Sequence, residues 1–213
     1  MRASFISAFL VGLVGVLVAA YFVPWAQHER VASLTSVAIN GGRRETFLVH
    51  LPADRLVTVA DTDRFPATVG TTLPVPESLS IEPLVLEHFK LRNSAGTVIG
   101  LAVRHWSADP TGPVSVWSLS IPSRGTLLLR ADGNVPASLA GAMAGAGIGP
   151  DRPPRDQLEV VVAAESESAS VLSGTEEFIG VRGRYTETWR ISGFNDQSEL
   201  QGTIVIDTIV NQT

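Results

Sequence analysis

From Val31 to the C-terminus, short runs of alternating apolar and polar residues follow one another, with almost no helix-type periodicity between them. A period of two puts successive side chains on opposite faces, the mark of strands with one buried side. The runs are 31–40, 44–51, 84–92, 97–106, 114–121, 126–131, 158–172, 177–191 and 199–210. Turn residues separate several of them: Asn40-Gly41-Gly42, Asn93-Ser94-Ala95-Gly96 and Pro122-Ser123-Arg124-Gly125. Gly, Asn and Ser tolerate the backbone geometry of tight turns. Local hairpins make neighbours antiparallel, so the sequence predicts an all-β domain over 31–213. The expected form is a single antiparallel meander β-barrel or a barrel-like sandwich. Two Pro- and Gly-rich stretches, 52–83 and 132–157, read as long loops. The first has room for a short strand near Leu56–Val59, the second for a short helix near Pro136–Ala144.

Ahead of this domain, residues 3–23 carry no charge. About 20 apolar residues in a helix span a hydrocarbon core of about 30 Å. Secretory signal peptides have a shorter apolar region, roughly 7–15 residues, and a small-residue cleavage site. Here Val18-Ala19-Ala20 and Val23-Pro24-Trp25-Ala26 cleave poorly, because bulky residues or proline intrude. Residues 1–30 are therefore expected to form an uncleaved membrane anchor. Phe5, Phe9, Leu13, Leu17, Tyr21 and Trp25 are its membrane-facing residues, the last two at headgroup level. A two-residue tail before the anchor and a long hydrophilic domain after it fit export. The expected location is the bacterial inner membrane, single-pass, with the domain in the periplasm.

Composition excludes several chemistries. The 213 residues include no cysteine, which rules out thiolate metal sites, thiol catalysis and disulfides. The net charge is −5 and the basic residues are scattered, so no nucleic-acid partner is expected. Lys90 is the single lysine among arginines, which reads as a genome-composition bias. No G-x-S-x-G or Walker pattern is present, Gly145-Ala-Gly-Ile-Gly149 follows no strand and leads to Pro150, and no cofactor is expected. The histidines are His28, His50, His88 and His105. A two-residue turn at Ser94-Ala95 would set His88 opposite Leu101 and leave it about 13 Å from His105, at about 3.3 Å per residue. That spacing predicts no metal site.

The run 177–191 carries the candidate chemistry. Ile179, Val181, Gly183, Tyr185, Glu187, Trp189 and Ile191 share one face, expected to point inward. Phe178, Arg182, Arg184, Thr186, Thr188 and Arg190 share the other. Tyr185, Glu187 and Trp189 are the candidate ligand-binding residues. A carboxyl among aromatics would have a raised pKa and could act as an acid or anchor a ligand. A bulge exposing Glu187, or an arginine pairing with it, is the plainer reading. No catalytic residue is assigned. In Glu165–Ser170, Ala164, Ser166, Ser168 and Ser170 share one face, which suggests either a wet lumen or a charge-protected edge strand.

The stretch Ser173–Trp189 reads G-x-x-x-F-x-G-x-x-G-x-x-x-x-x-W and is followed by Glu199-Leu-Gln-Gly-Thr-Ile-Val-Ile. It resembles the closing hairpin of eight-stranded calycin-like barrels of the allene-oxide-cyclase and dirigent type, with Phe178, Gly180 and Gly183 on the patterned positions. The resemblance covers about a fifth of the chain. It implies a cup-shaped barrel for an apolar small molecule, and it carries over no catalytic residue. The expected function is a non-catalytic, membrane-anchored accessory or assembly subunit docking on an integral membrane protein complex. The alternatives are a lipid- or isoprenoid-binding barrel at the membrane surface and a barrel isomerase or cyclase. The expected partners are the lipid bilayer, an integral membrane protein and an apolar small molecule.

Overall fold

A computed structural model describes residues 9, 11–16, 36–37, 42–60, 72–74, 84–107, 114–133, 135–163 and 169–212. The chain divides into two compact units, Met1–Val31 and Ala32–Thr213. In the first, residues 9 and 11–16 are helical, and Phe9 and Leu13 are exposed. Among the described residues no helix is long and apolar enough to cross a membrane. Most of the expected span 3–23, with Phe5, Leu17, Tyr21 and Trp25, lies outside the described residues.

Among its described residues, the second unit is all-β apart from one helix and a short 3-10 turn. Its strands are β1 (Ser36–Val37), β2 (Arg43–Leu51), β3 (Arg55–Ala60), β4 (Thr72–Pro74), β5 (Leu84–Asn93) and β6 (Val98–Ser107). There follow β7 (Val114–Ile121), β8 (Gly125–Asp132), helix α1 (Val135–Gly145), β9 (Leu158–Ala163) and β10 (Ala169–Gly174). The 3-10 turn Glu176–Phe178 leads into β11 (Val181–Phe194) and β12 (Leu200–Gln212). Neighbours run β2-β12-β11-β10-β8-β7-β6-β5, and a β2–β5 pairing closes the ring. The pairings around this ring are antiparallel, so eight strands form a closed meander barrel. Closure leaves the ring no edge of its own to protect. Eight strands enclose an interior just wide enough for side chains to fill.

Alternation does the filling. β7 buries Ser115, Trp117, Leu119 and Ile121 and turns the residues between them outward. Phe47 and Val49, Phe89 and Leu91, Leu127 and Leu129, and Ile204 and Ile206 supply the inner faces of β2, β5, β8 and β12. Turn chemistry closes the hairpins: at the β7–β8 turn Arg124 N–H donates to the Ile121 carbonyl, and Gly125 takes φ +110°, which favours glycine.

The ring has two bends that the alternation pattern does not mark. β2 meets β5 only at Phe47–Asn93 and Leu48–Arg92; β3 then continues along β5 from Arg55–Phe89 to Val59–Leu86. Asp54 holds this bend. Its carboxylate accepts from the His50 amide at 2.8 Å and from Arg92 Nε and Nη2 at 2.8 and 2.7 Å. Within the stretch expected as a long loop over 52–83, the short strand expected near Leu56–Val59 is β3, and the unanticipated β4 runs parallel to it. In the same way, the expected strand 158–172 is two pieces. β9 pairs with Glu187–Ile191 of β11, and β10 with Gly183 and Arg184. Residues 164–168 lie outside the described residues, and Ser170 faces outward, between buried Ala169 and Val171. Of the two readings offered for Glu165–Ser170, a lumenal row of hydroxyls fails at Ser170. The expected helix in 132–157 is α1.

Gly183 lets β11 and β12 approach closely. A Cβ there would sit 2.0 Å from the Ile209 carbonyl oxygen and 2.9 Å from Val210 Cα, both backbone atoms. Gly183→Ala is expected to destabilise the domain by about 1–3 kcal/mol, the usual cost of overpacking. A urea melt checks this, and a midpoint equal to that of the parent would refute the close approach.

Candidate functional site

The inward row of β11 follows the sequence reading over most of its length. Val181, Tyr185, Glu187, Trp189 and Ile191 are all buried, and Arg182, Arg184 and Arg190 are exposed. Ile179 departs from it: it is 67 % exposed, because the chain there is still leaving the 3-10 turn and Gly180 takes φ +73°. Phe178, expected outside, is buried at the base of the barrel under Arg124. Arg124 also pairs with Glu45 at 2.5 Å and with Glu177 at 3.1 Å.

Glu187 is not an isolated carboxyl among aromatics. Its Oε1 accepts from Arg104 Nη1 at 3.2 Å and from Trp189 Nε1 at 2.8 Å. Its Oε2 accepts from Trp117 Nε1 at 2.8 Å. Arg104 stands on the inward face of β6, directly across from Glu87 on β5 and Trp117 on β7. Arg104 Nε and Nη2 donate to Glu87 Oε2 at 3.0 and 2.5 Å. The guanidinium lies 4.9 Å from the Trp189 ring centre and 5.2 Å from that of Trp117. Cation–π contact at such range strengthens as water is excluded. Glu87 also meets Arg55 Nη2 at 3.5 Å and accepts from Trp106 Nε1 at 3.4 Å. Two carboxylates and two guanidiniums thus neutralise each other, with three of the chain's four tryptophans donating to the carboxylates.

Burial pushes the Glu87 carboxyl up, but Arg104 and Arg55 outweigh it and hold the pKa below the ordinary value. Burial likewise disfavours the Arg104 charge, and Glu87 and Glu187 more than offset it. Tyr185 is pushed up by burial and then by Glu187, and its hydroxyl has no hydrogen-bond partner. A phenol so raised is a poor proton donor. Glu187 has no exposed surface, and N–H donors occupy both of its oxygens. The arrangement is suited to holding the barrel interior together rather than to exchanging protons with a substrate.

Tyr185, Glu187 and Trp189 share the buried row, and the plainer reading, an arginine paired with Glu187, holds; that the arginine is Arg104 is what the sequence reading missed. A signal existed. Arg104 falls in phase with Ala102 on the inward row of β6, and Glu87 in phase with Val85, Phe89 and Leu91 on β5. Three charges of both signs in otherwise apolar rows imply that they meet.

The two acids most affected set an acid limit. Burial also raises the Asp54 carboxyl, and the bonds from Arg92 and the His50 amide bring it below its ordinary value. With Glu87 and Asp54 both depressed, the unfolded chain takes up protons first as pH falls. Stability is full above the ordinary carboxyl range, about pH 4–4.5, and drains as pH falls through the lower folded-state values. Denaturant midpoints measured from pH 7 to pH 3 are expected to fall in this acid window. Glu87→Gln is expected to flatten that fall, and an unchanged slope would refute the pairing.

The histidine register differs from expectation. The β5–β6 turn is longer than two residues: Asn93 Oδ1 accepts from the amides of Ala95 and Thr97, and Asn93 N–H donates to the Thr97 carbonyl. With the irregularity at Leu91/Arg92, Lys90 rather than His88 faces Leu101, and His88 faces Val103. His105 faces Leu86, so His88 and His105 are diagonal neighbours on the outer wall. Among the described residues no group of three or more His, Asp or Glu is placed to hold a metal ion.

No protein-family model matches the sequence, and no curated protein matches it. Beyond the sequence pattern in Ser173–Trp189 and Glu199–Ile206, nothing links the chain to allene-oxide-cyclase or dirigent-type barrels.

Proposed function

We propose that this chain is a non-catalytic accessory or assembly subunit, held at the bacterial inner membrane by residues 3–23. Its β-domain, on the periplasmic side, docks on an integral membrane protein complex. The filled barrel interior carries this reading. Phe47, Phe89, Trp117, Leu119, Leu129, Tyr185, Glu187, Ile204 and Ile206 are fully buried. A cup for an apolar molecule needs vacant volume that its lining faces. Among the described residues the buried acids are all engaged: Glu87 and Glu187 by Arg104 and by tryptophan N–H groups, and Asp54 by Arg92. A filled, neutralised interior leaves the outer wall as the working surface, which favours docking over ligand storage or catalysis.

Solubilisation of the full chain in mild detergent tests the reading. The expected result is co-purification with one integral membrane protein in fixed stoichiometry. Recovery of a clean monomer, at expression levels matched to the membrane, would overturn it.

A further inference from the structure

We propose that His88 and His105 form a two-histidine site on the outer wall for a borderline divalent metal ion, Cu2+ or Zn2+. The register places Leu86 opposite His105 and Val103 opposite His88, so the two histidines occupy one diagonal of a four-residue square. Both side chains point away from the interior, since Glu87 and Phe89 beside His88, and Arg104 beside His105, point into it. Diagonal neighbours on one face lie about 7–8 Å apart at Cα and somewhat closer at Cβ, within reach of long side chains. Two imidazoles on such a diagonal can converge on one ion at the roughly 2.0–2.1 Å typical of zinc–nitrogen bonds.

The surroundings add to the geometry. On the flanking strands, Val57 faces His88 and Val116 faces His105. With Leu86 and Val103 completing the square, four apolar side chains surround the pair. Both histidines are half-buried, so the sheet restrains the rings before any ion arrives. Imidazole nitrogen selects zinc, copper or nickel over hard cations such as magnesium, which take oxygen ligands. Two protein ligands leave the other coordination positions to water. His50 lies elsewhere, on β2 opposite Thr203 of β12, and has no part in the site.

Calorimetric titration of the untagged full chain in detergent with CuSO4, ZnCl2 and MgCl2 tests this. The expected result is one Cu2+ per chain, weaker binding of Zn2+ in keeping with the usual affinity order, and no binding of Mg2+. His88→Gln and His105→Gln should each weaken Cu2+ binding by about tenfold or more, at least what loss of a supporting group costs a metal site. His50→Gln should leave it unchanged. All three positions face outward, and circular dichroism should confirm a parent-like fold in each variant. Absence of Cu2+ and Zn2+ binding would overturn the proposal. So would parent-like affinity in either His88→Gln or His105→Gln, which would place the ion on a single histidine or elsewhere.

Discussion

Arg104→Met is expected to cost about 3–5 kcal/mol, the penalty for leaving buried charge unpaired. Arg104 is enclosed by the barrel and is the cation that Glu87 and Glu187 share. Methionine fills similar space but leaves the Glu187 carboxylate with two indole donors and no cation. Glu87 would keep only Arg55, at 3.5 Å, and the longer bond from Trp106. Domains of this size have about 5–15 kcal/mol to lose, so the variant should give up a large share of its stability. Arg104→Lys should recover only part of the loss, because an ammonium cannot bind two carboxylates and face two indole rings as the planar fork does. The triple variant Glu87→Gln/Arg104→Met/Glu187→Gln should be more stable than Arg104→Met, since it removes the stranded charges together with their partner. Urea melts of the four proteins check the series. Near-parent stability in Arg104→Met would show that the network contributes little.

Trp189→Ala is expected to cost a further large amount, about 3–5 kcal/mol, as truncation of a buried aromatic does. The side chain is 4 % exposed, its indole N–H bonds to Glu187, and its ring faces Arg104. Trp189→Phe keeps a ring and loses the donor, so its cost should be smaller and should report mainly on the bond to Glu187. Arg184→Ala, on the outer face of the same strand, should change stability by about 0.5 kcal/mol or less. A one-residue slip exchanges the two faces of a strand, so the pair of substitutions reads the register directly. A nearly neutral Trp189→Ala beside a costly Arg184→Ala would reverse the assignment.

Local signals made much of this fold legible. The alternation in Val114–Ile121 and the Pro-Ser-Arg-Gly turn after it predict β7, β8 and the hairpin between them, because both features act within a few residues. The inward row of β11 was readable for the same reason. The bends were not. Asp54 and Arg92 are 38 residues apart, and nothing near either one marks a clasp. The split between β9 and β10 depends on which stretches of β11 each piece pairs with, and alternation alone does not say. The β5–β6 hairpin shows how small the margin is. Asn93 accepting two amides lengthens the turn, shifts the pairing by two residues, and turns two distant histidines into neighbours. The charge network lay between these extremes: Glu87, Arg104 and Glu187 stand out in their own strands, but only barrel closure brings β5, β6 and β11 to a common interior.

Native mass spectrometry of the full chain, released from mild detergent, tests the filled interior on which the functional account rests. The account predicts that the chain itself carries no small apolar molecule, alone or within a complex, and that organic extraction of the purified protein yields only bulk membrane lipid. A stoichiometric apolar adduct that stays bound to the parent chain and is lost in Trp189→Phe would contradict it, because that ligand would have to occupy space the account assigns to side chains.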